Sequence, residues 1–242
     1  MSKAFQDKII LVTGASRGIG YAAARALAAQ GAHIIAAART QGGLEDLYDV
    51  IKAAGGTCTL VPMDIKDYDA IDRLGAALQE RFGRLDGLFA NAGALGDISP
   101  VPHITPKTWD NVFAVNMTAN YRLIRSMDPL LRASDAGRAV FVSSSVAQQP
   151  RAFWGAYAAS KAALESFVSA YAQETSVTNL KVNCLDPGAT RTAMRAKAMP
   201  GEDPAILPAP EDLAPLVAEM LSPDYDKTDE VVVFRKTRYF KG

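Results

Sequence analysis

The chain has 242 residues, 49% of them hydrophobic, and its 26 Lys and Arg residues balance its 26 Asp and Glu residues. A chain of this length can bury one sizeable core, so one α/β domain over residues 1–242 fits it better than two small domains. The zero net charge and the scattered basic residues argue against nucleic acid or an anionic membrane as the main partner.

The sequence shows no obvious membrane-spanning or export signal. The longest apolar runs, such as the one around residues 34–38, are far shorter than the roughly 20 residues that cross a bilayer. Residues 1–7 lack the apolar core of a signal peptide, so we expect a cytoplasmic protein. Cys58 and Cys184 lie in separate strand-like runs with no Cys-x-x-Cys pattern and no His nearby, which favours two buried, reduced thiols and predicts no metal site.

The first forty residues predict a strand, a glycine-rich turn, a helix and a second strand. Residues 8–13 and 33–38 are short apolar runs typical of strands buried on both faces. Between them, Gly14, Gly18 and Gly20 open an Ala-rich helix. Glycine lets the backbone approach a pyrophosphate, and the N-terminus of the following helix offers free N–H groups and a positive dipole end to that anion. The pattern therefore predicts dinucleotide binding, with a purely structural tight turn as the alternative.

Strand and helix signals alternate along the rest of the chain. Helices are predicted over about residues 43–54, 68–82, 107–131, 157–174 and 211–221, and strands over about 58–62, 85–90, 138–143, 180–185 and 231–234. We expect a break or kink before Pro129 in the helix at 107–131. The alternation predicts an α/β, single-domain Rossmann fold, with a doubly wound parallel sheet of about seven strands flanked by helices.

A tyrosine and a lysine stand four residues apart at the start of the helix predicted at 157–174. Tyr157 and Lys161 would lie on one face of that helix, one turn apart. Because a nearby cation favours the phenolate, it lowers the pKa of the Tyr, and such a pair can pass a proton to or from an alcohol or carbonyl oxygen. A solvated Lys over a half-buried Tyr is the alternative.

Two patterns together resemble the single-domain form of the short-chain dehydrogenase/reductase family. They are Thr13 followed by Gly14-x-x-x-Gly18-x-Gly20, and Tyr157-x-x-x-Lys161. The resemblance covers nearly the whole chain, and residues 190–204 resemble the bacterial YciK-like branch. It implies hydride transfer between a nicotinamide and the carbonyl or alcohol carbon of a small, largely apolar substrate. In that reaction the Tyr acts as general acid or base, and the Lys also holds the nicotinamide ribose.

The resemblance implies two further catalytic residues. The catalytic Ser of the family lies at a strand end thirteen residues before the Tyr, which selects Ser144 here. Ser143 and Ser145 are the alternatives if the register slips by one. In the family, an Asn in the preceding long helix distorts that helix and holds a water that links the catalytic Lys to solvent. Asn116 stands at this position, with an ordinary buried amide as the alternative.

The cofactor contacts that the family implies follow the ends of successive strands. Asp64 would bind the adenine amino group and the N–H of Ile65 the ring, with a helix cap as the alternative for Asp64. Asn91 would tie neighbouring strands, although Ala90 replaces a second Asn of the family motif. The loop after Pro187 would meet the nicotinamide carboxamide. The full expected set is Gly14, Ser16, Arg17, Gly18, Ile19, Gly20, Ala38, Arg39, Thr40, Asp64, Ile65, Asn91, Ala92, Gly93, Tyr157, Lys161, Pro187, Gly188, Thr190 and Thr192.

The end of the second strand distinguishes NADP(H) from NAD(H). NAD-preferring dehydrogenases place a carboxylate there on the adenosine ribose, whereas this chain has Ala38, Arg39 and Thr40, with no acidic residue before Glu45. Arg39 and Arg17 can both face a phosphate, so we expect NADP(H) rather than NAD(H). Solvated surface cations are the alternative for these two arginines.

Two segments point to the substrate and the subunits without identifying them. The Met-, Ala- and Pro-rich stretch around residues 190–210 suggests a lid over a small-molecule carbonyl or alcohol substrate. The basic and aromatic tail at 235–240 departs from the family pattern. Family members associate through helices like those around Asn116 and Tyr157, so we expect a homodimer or homotetramer.

Two other functions compete with an enzyme of this kind. One is a cofactor-loaded binding or regulatory protein with little turnover, which an altered Tyr, Lys or Ser would favour. The other is an epimerase or dehydratase on the same scaffold, which the chain length and the glycine spacing disfavour.

Overall fold

The computed structural model of the chain describes residues 4–240 and contains a seven-stranded sheet. Residues 1–3 of the segment considered for a signal peptide lie outside the described residues, as do 241–242. The strands are β1 Ile9–Thr13, β2 His33–Ala38, β3 Thr57–Pro62, β4 Gly87–Ala90, β5 Arg138–Val142, β6 Lys181–Asp186 and β7 Val231–Val233. The helices are α1 Gly18–Ala29, α2 Gln41–Ala53, α3 Tyr68–Phe82, α4 Pro106–Phe113, α5 Ala119–Arg132, α6 Gly155–Glu174, α7 Ala193–Ala198 and α8 Pro210–Leu221.

All neighbouring strands of the sheet run parallel, in the order β3-β2-β1-β4-β5-β6-β7. The chain therefore builds outward from β1 to β3, returns to β4 beside β1, and continues in the other direction. This confirms the doubly wound Rossmann sheet predicted from the alternating elements. The switch between β1 and β4 opens a crevice at their carboxyl ends, which is where ligands bind in such sheets.

Two apolar layers hold the helices against the sheet. One packs α1, α2 and α8 on one face, and the other packs α3, α5 and α6 on the opposite face. The strands read as continuous apolar runs because both of their faces are covered. Leu11 and Ile34 are fully buried, and burial of such a side chain contributes about 1.5–3 kcal/mol.

Pro129 lies inside α5, so the break expected before it is wrong. Pro129 removes the backbone donor for the carbonyl of Arg125, but Arg125 is an exposed residue and solvent can satisfy that carbonyl. The helix is instead interrupted earlier, by a π-helical turn over Ala114–Thr118.

The two cysteines differ in their burial. Cys184 is buried, whereas Cys58 is only partly buried because it lies on β3, one of the two edge strands of the sheet. The prediction of two buried thiols is therefore wrong for Cys58. Desolvation raises the pKa of Cys58 to about 11 and that of Cys184 to about 12, so both stay protonated at neutral pH.

No helix between residues 4 and 240 combines the length and the hydropathy needed to cross a membrane.

Candidate active site

Most of the residues singled out from the sequence lie at the carboxyl ends of the strands. Since neighbouring parallel strands end at the same edge, this brings the turn after β1, the residues after β4, the serines after β5 and the loop after β6 together. The side chains of Arg39 and Asp64 approach each other beside the ends of β2 and β3. We describe the site from the cofactor side toward the substrate side.

The turn after β1 needs glycine at its key positions. Gly14 and Gly18 have φ values of +67° and +60°, in the left-handed region. A Cβ at Gly20 would lie 2.5 Å from both Asn91 Nδ2 and the Gly14 carbonyl oxygen, so no larger residue fits there. Among the described residues, no side chain caps the first turn of α1. Its N–H groups are therefore available to an anion, which fits the pyrophosphate of a dinucleotide.

Asn91 joins the ends of β1 and β4. Its Nδ2 donates to the carbonyl oxygens of Thr13 at 3.0 Å and Gly14 at 3.3 Å. The Thr13 hydroxyl accepts from the backbone N–H groups of Asn91 and Ala92, at 3.0 Å each. Ala90, which replaces a family Asn, is buried inside β4 and leaves these bonds intact. We call these four hydrogen bonds between Asn91, Ala92, Thr13 and Gly14 the clamp. The sequence singled out Asn91 but not the Thr13 hydroxyl that accepts two of them.

We expect Asn91→Ala to destabilise the protein by about 1–3 kcal/mol, because the carbonyl oxygens of Thr13 and Gly14 lose their donor in a part-buried setting. Urea unfolding followed by circular dichroism measures the change. Asn111→Ala is the matched control, since this exposed amide only accepts from Lys66 Nζ, and we expect a change below about 0.5 kcal/mol. Equal losses in the two variants would contradict the clamp.

Arg17 and Arg39 are both exposed, Arg17 in the turn after β1 and Arg39 directly after β2. Arg39 Nη1 lies 4.0 Å from Asp64 Oδ2, and the other oxygen of Asp64 accepts from the N–H of Lys66 at 2.9 Å. Asp64 does not cap α3, because Asp67 accepts from Ala70 at the N-terminus of that helix. The exposed guanidinium groups and the absence of a carboxylate at Ala38–Thr40 fit a 2′-phosphate.

Tyr157 and Lys161 are both buried on the first turns of α6, with 8% and 3% of their surface exposed. Lys161 Nζ lies 5.8 Å from the centre of the Tyr157 ring and donates to the Val142 carbonyl oxygen at 2.6 Å. Ser144 lies two residues after the end of β5, and hydrogen bonding from its hydroxyl lowers the pKa of the Tyr157 phenol. The neighbouring Ser143 instead donates to Glu165. The end of β5 thus supplies a carbonyl to the ammonium, and the segment after it supplies a hydroxyl to the phenol.

Burial controls the pKa values of this pair. Desolvation raises the pKa of Tyr157 to about 12, against the lowering effect of the Ser144 hydrogen bond. Desolvation also lowers the pKa of Lys161 to about 8, while Cys184 and Glu165 act in the opposite direction. The spacing predicted a Tyr pKa shifted toward neutrality, but the structure shows the opposite sign. The cost of burying a phenolate exceeds what the Ser144 hydrogen bond returns, and the negative charge of Asp186 raises the pKa further.

Asn116 lies in the π-helical turn and is fully buried. Its Nδ2 donates to the Ala94 carbonyl oxygen at 2.8 Å and to Ser160 Oγ at 2.9 Å, and its Oδ1 accepts from the Ala94 N–H at 2.8 Å. The Asn116 backbone carbonyl accepts from Asn120 Nδ2 at 2.8 Å. The amide therefore links the segment after β4 to Ser160 of α6, which lies three residues after Tyr157.

The segment after β6 closes over the tyrosine. Gly188 has a φ of +64°, and the Thr190 hydroxyl donates to the Pro187 carbonyl oxygen at 3.0 Å. The Thr192 hydroxyl, expected to contact cofactor, accepts from the Arg195 N–H at 3.2 Å and so caps α7. One apolar cluster then joins α7 to α6 and to the loops beside it: Leu95, Val146, Trp154, Tyr157, Ala158 and Ala198.

Glu165 is a neighbour of Tyr157 and Lys161 that sequence reasoning missed. Its carboxylate accepts from Ser143 Oγ at 2.5 Å and from Gln148 Nε2 at 3.3 Å. It also acts on Lys161 electrostatically and raises that pKa. The spacing of Tyr157, Lys161 and Glu165, with four residues from each to the next, places all three on one face of α6 and could have identified it.

Among residues 4–240, no group of three or more His, Cys, Asp or Glu side chains is arranged to hold a metal ion.

Comparison with known proteins gives consistent relatives. The family model described as short chain dehydrogenase matches residues 8–203. The chain is 42% identical over 229 residues to the uncharacterized oxidoreductase YciK of Escherichia coli K12, covering 90% of this chain and 87% of that protein. A short chain dehydrogenase of Shigella flexneri 2a in complex with NADP superposes with a TM-score of 0.93 at 39% identity, covering 97% of this chain and 100% of the other. A short chain dehydrogenase of E. coli CFT073 in complex with NADPH superposes with a TM-score of 0.91 at 39% identity, covering 97% of this chain and 99% of the other.

Proposed function

Because the chain belongs to the short-chain dehydrogenase/reductase family, in its YciK-like branch, we propose that it is an NADP(H)-dependent oxidoreductase acting on a carbonyl or alcohol. The family uses a nicotinamide cofactor and small-molecule substrates. The observation that carries the proposal is the burial of Tyr157 and Lys161 beside Ser144, at the sheet edge where the glycine turn offers an anion site.

Three features support NADP(H) over NAD(H). No carboxylate follows β2, and Arg17 and Arg39 are exposed where a 2′-phosphate would lie. A guanidinium binds a phosphate dianion with charge-assisted, bidentate hydrogen bonds. The relatives from Shigella flexneri and E. coli were crystallised with NADP and NADPH.

The chain's own residues have separate tasks in carbonyl reduction. When bound, a reduced nicotinamide would supply the hydride to the carbonyl carbon. Ser144 donates a hydrogen bond to the substrate oxygen as negative charge develops there. Tyr157, with its raised pKa, keeps its proton at neutral pH and gives it to that oxygen. Lys161 stabilises the resulting phenolate, and Asn116 supports a water-mediated proton relay to the Lys.

The walls around Tyr157 favour a substrate with an apolar body. Leu95, Val146 and Ala198 share one cluster with the phenol, and the Trp154 ring packs against it at 6.0 Å between ring centres. We infer that the segment around 190–210 is the substrate lid, since α7 contributes Ala198 to that cluster. The homodimer or homotetramer stays a prediction, which light scattering would test.

Stereospecific oxidation of NADPH against a panel of ketones tests the proposed function. Transfer of one prochiral hydrogen of NADPH to the ketone carbon, shown with deuterated cofactor, is the expected result. Tight NADPH binding with no turnover on any ketone would instead favour a cofactor-loaded binding or regulatory protein.

We expect the pH dependence of kcat/KM for reduction to report the ionisation of Lys161. As the pH rises through about 8, Lys161 of the free enzyme loses its proton, and the cation that stabilises the phenolate is lost. The kcat/KM for reduction should therefore fall above that pH, by about tenfold per pH unit. Because the Glu165 carboxylate raises the pKa of Lys161, Glu165→Gln should move the fall to lower pH.

Ser143→Ala is the control for that pH profile. It removes the hydrogen bond to Glu165 but keeps the carboxylate, so kcat/KM should fall at the same pH as in the wild type. A fall that moves in Ser143→Ala and not in Glu165→Gln would show that the hydrogen bond matters and the charge does not.

A further inference from the structure

Two carboxylates are buried among residues 4–240, and they differ in their partners. Asp86 and Asp186 each expose 4% of their surface. Asp86 pairs with Lys8 at 3.4 Å and with Arg84 at 3.2 Å. Asp186 receives a single hydrogen bond from the described residues, from the N–H of Gly188 at 2.9 Å, and no cationic nitrogen among them lies within 4.0 Å of it. Because burying a charge is costly unless it is paired, Asp186 is suited to bind a cation.

The cations on the neighbouring elements are held by other groups. Lys161 Nζ donates to the Val142 carbonyl oxygen at 2.6 Å. Arg235 lies against the loop after β6, where a Cβ at Gly188 would be 3.5 Å from its Nε, and its guanidinium lies 5.6 Å from the centre of the Phe240 ring. Both cations therefore leave the carboxylate at the end of β6 without a direct partner in the part of the chain that the structure describes.

The hydrogen bond from Gly188 gives Asp186 a structural role that does not require its charge. The side-chain oxygen accepts from the N–H two residues later, which is the geometry of an Asx turn. Asn forms the same turn, and Ser forms a weaker version of it. The turn therefore explains an oxygen acceptor at this position but not a buried negative charge.

Asp186 lies beside the strand end that holds Lys161. Asp186 is the last residue of β6, and Val142 at the end of the neighbouring β5 pairs in register with Leu185. The carbonyl oxygen of Val142 is the group that accepts from the Lys161 ammonium. The charge of Asp186 also acts on Tyr157 and raises the pKa of its phenol, in agreement with this placement.

The segment after Asp186 crosses back to the glycine turn. A Cβ at Gly18 would lie 3.6 Å from Thr192 Cγ2. Residues 186–192 therefore run along the crevice between the turn after β1 and the end of β6. A dinucleotide with its pyrophosphate at that turn has to place its hydride-bearing ring in this crevice, because the ring must reach the carbon whose oxygen lies at Tyr157.

We propose that Asp186 is the counter-charge for the oxidised nicotinamide ring, which carries a positive charge that the reduced ring lacks. The inference rests on the proposed oxidoreductase function and assigns a further residue to its cofactor site. A fixed negative charge beside the ring stabilises the positive charge that develops as a hydride passes to the substrate carbon. Asp186 therefore promotes carbonyl reduction and raises the affinity for NADP⁺ relative to NADPH, while the Gly188 N–H holds its carboxylate in place.

Equilibrium binding tests this assignment without turnover. Calorimetric titration with NADP⁺, NADPH and 2′-phospho-ADP-ribose, which lacks the ring, compares the wild type with Asp186→Asn at one ionic strength. The Asn keeps an acceptor for the Gly188 N–H and removes the charge. We expect the affinity for NADP⁺ to fall about tenfold relative to that for NADPH, the scale of one charge pair in a partly buried site. The affinities for NADPH and for the ring-free ligand should change alike.

Asp67→Asn is the matched control for this titration. Asp67 is an exposed carboxylate whose Oδ1 accepts from the Ala70 N–H at 3.0 Å, so its exchange also removes one charge and keeps one hydrogen bond. The ratio of the NADP⁺ and NADPH affinities should stay at the wild-type value.

Asp186→Ser supplies a second neutral acceptor and should reproduce the shift of the Asn variant. An unchanged affinity ratio in both Asp186 variants, or an equal shift in Asp67→Asn, would overturn the assignment and leave Asp186 with the turn alone. If both cofactors bind but no ketone is reduced, the proposed function fails, and the ratio still decides the role of Asp186. If neither cofactor binds, both proposals fail.

Discussion

Replacing Tyr157 by Phe is expected to lower kcat for carbonyl reduction by about a thousandfold, within the range of a lost general acid. The affinity for NADPH should change less than about threefold. The substitution removes one hydroxyl and keeps the ring that packs against Trp154 and Ala198. Because the phenol is the proton donor proposed for the substrate oxygen, the loss falls on the chemical step.

Single-turnover oxidation of NADPH measures the chemical step, and fluorescence titration measures the affinity. Tyr171→Phe is the matched control, since Tyr171 lies on the same helix, is also buried, and donates to Asp128 at 2.7 Å. It should lose thermal stability and keep kcat within about twofold. Turnover by the Tyr157 variant within tenfold of the wild type would refute the proposed mechanism.

Exchanging Ala38→Asp together with Arg39→Leu is expected to move the cofactor preference from NADPH toward NADH by about a hundredfold. Loss of a charged hydrogen bond to phosphate costs about 1.5–3 kcal/mol, and the new carboxylate repels the phosphate while accepting from ribose hydroxyls. Ala38 is the last, half-buried residue of β2 and Arg39 follows it, so the exchange lies at the margin of the core.

Dissociation constants of both cofactors, measured at one ionic strength, test the exchange. Arg25→Leu removes an exposed arginine from α1, where it lies 3.9 Å from Glu211, and should leave the preference unchanged. An unaltered preference for NADPH in the double variant would show that the phosphate is held elsewhere. Arg17 is then the first position to exchange.

Short-range patterns predicted much of this molecule. The glycine turn and the Tyr157–Lys161 pair are local, and hydrophobic runs placed every strand of the sheet within a few residues. Contacts between distant residues were less predictable. The Ser143–Glu165 bond joins residues 22 apart and the Asn91–Thr13 bonds join residues 78 apart. The pKa of Tyr157 had the wrong predicted sign because spacing reports a neighbouring charge but not how much water is excluded.

The polar contacts that Lys197 of α7 makes with the loop after β4 lie on the surface of the protein, which bears on how the site would open. Lys197 reaches the Gly96 carbonyl oxygen at 3.2 Å and lies 3.7 Å from Asp97, on exposed side chains that salt screens. Tyr157 and Lys161, by contrast, share one uninterrupted helix that does not include this segment. In the lid role proposed for this segment, opening would break these surface contacts and the packing of Ala198, while Tyr157 and Lys161 would stay aligned on α6.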